Sequence, residues 1–111
     1  MKLNIFILSL ALFLNHPQGF SQLGLDYENN RTLTYEEAIN AYQTLSENFD
    51  YAQLIEAGKT DVGKPLHLFI LSVDQVFEPA KLRNTGKKII LIDNAIHPGE
   101  PCGVDASVKF A

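Results

Sequence analysis

The sequence predicts an α/β domain with a strand buried between helices. Three observations carry this. An amphipathic helical pattern opens at Thr34, two short strand-like runs flank a Gly- and Pro-containing connection, and an unbroken apolar run, Ile89 to Ile92, stands immediately before a second helical pattern. Apolar residues without polar alternation fit a strand covered on both faces, the arrangement that helices above and below a sheet produce.

The N-terminus comes first in the chain and bounds the compartment. Lys2 supplies a positive n-region, Leu3 to Leu14 is apolar apart from Asn4 and Ser9, and Gly19-Phe20-Ser21 puts small residues where a signal peptidase reads. Residues 1–21 are thus expected to be a secretory signal, with cleavage before Gln22. The apolar run is too short for a membrane span, which needs ~20 residues. Cleavage leaves no membrane anchor and a secreted chain, extracellular or periplasmic. Removing 21 of the 111 residues leaves 90; Lys2 leaves with the signal, so 8 basic side chains face 13 acidic ones, a net charge of −5. A mildly acidic chain lacks the basic patch of a nucleic-acid binder. Cys102 is the single cysteine, which excludes an internal disulfide. It stands two residues after Glu100, nearly opposite it on a helix, and is expected to be a small buried apolar side chain. Asn30-Arg31-Thr32 fits a glycosylation acceptor where the source modifies its exports.

Residues 22–33 show no periodicity and read as an extended lead-in. Thr34 with Glu37 forms a capping box, and Glu36 and Glu37 suit the positive end of a helix dipole. Ala38, Ala41, Tyr42, Leu45 and Phe49 then recur at helical spacing, to an end near Asn48. A strand over Gln53 to Gly58, a connection at Lys59 to Pro65 and a strand over Leu66 to Val73 read as a hairpin. Leu68 to Leu71 is apolar on both faces, which predicts an interior strand. His67 at its start is read as a packed or solvated side chain, with a ligand role as the minor alternative. A polar connection from Asp74 to Lys87 carries a helical turn around Ala80 to Arg83.

The chemistry falls after the buried run. His97-Pro98-Gly99-Glu100 places an imidazole and a carboxylate, both common zinc ligands, at a strand-to-helix junction. Sites in open α/β sheets form outside the carboxyl ends of strands, and Pro-Gly makes the turn that lets both side chains converge. Asp93 can orient His97 or cap a turn. Asp105 can lie near the metal or offset the dipole of the last helix. Asn94 can line the cleft or serve the turn. From about Pro101, Val104, Val108 and Ala111 follow helical spacing without a stop signal. One full helix and the start of another cannot cover two faces of a sheet, so the chain is expected to be the front portion, residues 34–111, of a larger domain.

In order and spacing these segments resemble the zinc carboxypeptidases, the carboxypeptidase A-like metallopeptidases. Thr34-Tyr35-Glu36-Glu37 resembles the opening helix. Gly58-Lys59-Thr60-Asp61-Val62-Gly63-Lys64-Pro65-Leu66 resembles the family's Gly-x-Ser-x-x-Gly-Arg-x-Ile hairpin, with Thr for Ser and Lys for Arg. Ile89 to Gly103 resembles the strand, ligand pair and helix start. The resemblance covers most of Thr34 to Ala111. It implies the N-terminal part of a mixed-sheet zinc carboxypeptidase-like domain, helices on both faces, incomplete in this chain. It implies zinc as cofactor, His97 and Glu100 as two of three metal ligands, and peptide or protein as substrate. The third ligand and the general-base glutamate are implied downstream, so no catalytic residue falls within the chain and the isolated chain is expected to be inactive. Gly99 stands where many members carry a substrate-binding arginine. Two other readings stay open: a related zinc enzyme that removes acyl groups from amino acids, and a secreted binding domain of the same fold without catalysis.

Overall fold

The computed structural model describes residues 23–111 apart from Asn84 and Pro98. The expected signal, residues 1–21, lies outside the described residues. Among those described, no helix is long and apolar enough to cross a membrane. The architecture is a small mixed α/β arrangement. Its elements are α1 (Tyr35–Asn48), β1 (Ala52–Lys59), β2 (Pro65–Leu71), α2 (Pro79–Leu82) and α3 (Cys102–Phe110).

Helix α1 begins where the capping box places it. Thr34 has extended backbone, its hydroxyl accepts from the Glu37 amide, and the Glu37 carboxylate accepts from the Thr34 amide at 2.8 Å. That amide bond, then the Thr34 hydroxyl, then Arg31 hold the Glu37 carboxyl below its ordinary value. The sign is that of a depressed carboxylate. Its support is complete above the ordinary carboxylate pKa and is lost as pH falls through the lowered one. Thr34→Ala is expected to cost about 1 kcal/mol in urea unfolding at neutral pH. The difference from the parent chain should narrow in acid, once Glu37 is protonated; an unchanged midpoint at neutral pH would show that the cap contributes nothing.

The core is where α1 meets α3. Leu33, Ala38, Ala41 and Val108 are buried together, with Leu23, Leu25, Tyr42 and Val104 packed against them. Ala38 and Ala41 carry nothing beyond Cβ, so α3 approaches closely and Val108 is the most deeply buried large side chain. Tyr42 also faces the sheet, its ring 4.5 Å from that of Phe69 on β2. The lead-in is not extended throughout. Tyr27–Asn29 forms a 3-10 turn closed by a bridge between Asp26 and Arg31, and Leu33 then enters the core.

β1 and β2 form the expected antiparallel hairpin, with Ala52 opposite Leu71 and Lys59 opposite Pro65. A bulge lies between Glu56 and Gly58, and Gly63 takes a positive φ of 78° in the connection. Strand β2 is not interior. It pairs with β1 alone among the described residues, and Leu66, Leu68 and Leu71 remain exposed.

The central strand expected at Ile89 to Ile92 is absent. Residues 86–96 form no helix or strand. Ile89, Ile90, Leu91 and Ile92 are 66%, 82%, 78% and 60% exposed. The physical reason is that an interior strand has no stability of its own. It needs ladder hydrogen bonds at its edges and apolar cover on its faces. Only a two-stranded sheet stands among the described residues, and neither of its strands pairs with this run.

Candidate metal centre

The chain leaves the exposed run at Asn94. Every described residue from 85 to 93 is exposed, and Asn94 is the first that is not. Its Nδ2 donates to the Ser107 hydroxyl on α3 at 2.7 Å. Ser107 lies beside Tyr42 of α1; burial raises the Tyr42 phenol above its ordinary pKa and the Ser107 hydroxyl offsets part of that. Ala95 then takes a left-handed conformation with φ 53°. A side chain with a Cβ pays ~1 kcal/mol for that region, so the segment is bent against local preference.

His97 and Glu100 sit at the tip of the bend. The Glu100 amide approaches the His97 carbonyl at 3.4 Å, and Gly99 has φ 87°. That left-handed backbone is one that glycine takes without strain. The turn brings the His97 Nδ1 to 3.1 Å from the Glu100 Oε2, with both side chains exposed. In the tautomer with a proton on Nδ1, that nitrogen donates to the carboxylate. Two ligands about 2.0 Å from one tetrahedral cation lie about 3.3 Å apart. The 3.1 Å of the pair is that of an ordinary hydrogen bond and lies within a few tenths of an ångström of this spacing. Both side chains are open to solvent on the outer side.

The other sequence candidates are elsewhere. Among the described residues, no group of three or more His, Cys, Asp or Glu side chains is placed to hold a metal. Asp93 is exposed and makes no hydrogen bond to His97. His67 Nδ1 lies 3.0 Å from the Tyr35 hydroxyl, which also donates to the Pro65 carbonyl at 3.0 Å, so His67 belongs to the contact between α1 and the start of β2. Cys102 is exposed and not a packed core residue, because α3 turns Val104, Asp105 and Val108 inward. Asp105 stands in the first turn of α3, as the dipole reading places it, and does not join the pair. It is buried and its Oδ1 accepts from the Leu33 amide at 3.0 Å.

Sequence reasoning missed the Asn94 contact with α3. The position that admits the contact is Gly103, which presents no side chain where the Asn94 carboxamide sits. No protein-family model, no curated protein and no solved structure matches the chain.

Proposed function

We propose that the chain contributes His97 and Glu100, the first two zinc ligands, to a secreted zinc-dependent metallocarboxypeptidase that hydrolyses peptide bonds. The observation that carries the reading is the approach of His97 Nδ1 to Glu100 Oε2 at 3.1 Å across a Pro-Gly turn. The order of capped helix, glycine-bearing hairpin and ligand turn supports it, as does the signal-like N-terminus.

In this reading His97 and Glu100 hold the metal from one side and leave its remaining positions to a third protein ligand, water and substrate. Bound zinc supplies Lewis-acid polarisation of the scissile carbonyl and a water of pKa near ~7. Gly99 puts no side chain between the two ligands, so the approach of a peptide is not narrowed there. Two ligands hold zinc weakly, and the chain by itself is proposed to be inactive.

Zinc titration followed through the imidazole resonances tests the ligand assignment. His97 is expected to shift and saturate while His67 stays in place, and both His97→Ala and Glu100→Gln are expected to abolish the response. A response at His67 alone, or none, would sink the assignment. Peptide hydrolysis by the isolated chain at stoichiometric zinc would overturn the two-ligand description.

A further inference from the structure

The bend that carries His97 and Glu100 is closed at its base as well as its tip. Asn94 stands three residues before His97, and Gly103 three residues after Glu100. A Cβ built on Gly103 would lie 2.7 Å from the Asn94 Oδ1 and 3.4 Å from its Cγ. The carboxamide thus rests on the bare backbone of α3 at Gly103 while its Nδ2 bonds Ser107 one helical turn further on. Gly103 has an ordinary helical backbone, so φ does not require glycine there. Glycine leaves room for the Asn94 carboxamide, which any Cβ at this position would displace.

We infer that Asn94, seated on Gly103 and bonded to Ser107, is a positioning residue that sets the geometry of the His97–Glu100 pair. The inference rests on the zinc reading of that pair. Three features support it. Upstream, residues 85–93 are exposed, and Asn94 is the first residue of the run that packs against a helix. Between Asn94 and His97, Ala95 is held in a left-handed conformation, which persists only where the surroundings over-determine it. Downstream, Glu100 leads directly into α3, the same helix that Asn94 grips. Both ends of the ligand turn are therefore referred to one rigid element, and the distance between the two ligands becomes a property of α3. Supports of this kind decide whether ligands meet a metal at the right separation.

Three variants of the full chain test it: Asn94→Ala, Gly103→Ala and the double substitution. Gly103→Ala improves helix propensity, so a loss of function there cannot come from a weakened α3. Each single variant is expected to lose at least about tenfold in zinc affinity at His97. The double variant should lose no more than the worse single one, because both remove the same contact. In metal-free protein, backbone order parameters of residues 95–100 should fall from about 0.85 to below about 0.6 in Asn94→Ala, while those of α1 stay unchanged. Unaltered order parameters, or zinc affinities equal to that of the parent chain, would overturn the positioning role. If the parent chain takes no zinc at His97, the zinc reading fails, and the metal-free order parameters still decide whether Asn94 holds the turn.

Discussion

Asp105→Ala is expected to destabilise the folded chain by about 2 kcal/mol, the cost of leaving a buried amide without its charge-bearing acceptor. Asp105 is 6% exposed, and its Oδ1 takes the Leu33 N–H at 3.0 Å across 72 residues of sequence. Both partners lie at the junction of the lead-in with α1 and α3, where the Leu33 side chain and Val108 belong to one buried cluster. Truncation removes the acceptor and opens a small void beside the most deeply buried valine, and the two losses act in the same direction. Asp105→Asn keeps an acceptor oxygen of similar reach and should recover more than half of the loss. Urea unfolding of the three proteins measures this. Equal midpoints for the alanine variant and the parent would mean that the Leu33 amide finds another partner, and that the bond does not tie the two ends of the described chain.

What could be read from sequence was what depends on near neighbours. The Thr34–Glu37 box specifies the start of α1 within four residues, and it appears as drawn. The hairpin follows from the connection at Gly63, whose positive φ is closed to most other residues, whereas the bulge between Glu56 and Gly58 was not legible. The turn at residues 97–100 was legible for the same reason, because the glycine that it needs, Gly99 with φ 87°, stands between the two side chains in sequence. What failed was non-local. Asp105 stands in the first turn of α3 as its dipole reading requires, but its hydrogen-bond partner is Leu33, and nothing near residue 105 announces that. Cys102 was assigned to the interior from residue type, but its place on α3 faces outward. Ile89 to Ile92 has the composition of a strand, yet β structure is a property of the pair or the sheet and not of the segment. Asn94 shows the opposite case. It is an unremarkable loop residue in isolation, and only the helix beside it gives it a role.

The same exposed run leads to the second large effect. Ile90→Lys with Ile92→Lys is expected to convert a self-associating chain into a monomer while leaving its unfolding free energy within about 0.5 kcal/mol of the parent. Ile90 and Ile92 alternate onto one side of an extended backbone and are 82% and 60% exposed, so they contribute little to the packed body. Four consecutive large apolar residues with unpaired backbone form an edge on which other chains can add. Lys87, Lys88 and Asp93 flank the run with charge, but Lys87 is already engaged with Asp74. Two added ammonium groups on one side place like charges against each other in any stacked arrangement. Sedimentation velocity and the fluorescence of an apolar-surface dye report the change: oligomers and strong dye binding for the parent, a single slow species and weak binding for the variant. A parent chain that is monomeric and binds no dye would refute the prediction. In a longer protein that buries this run as an interior strand, the outcome reverses. Two lysines would then stand in an apolar layer without partners, and the protein would fail to fold instead of gaining solubility. The double substitution therefore separates a surface segment from a strand of a larger sheet.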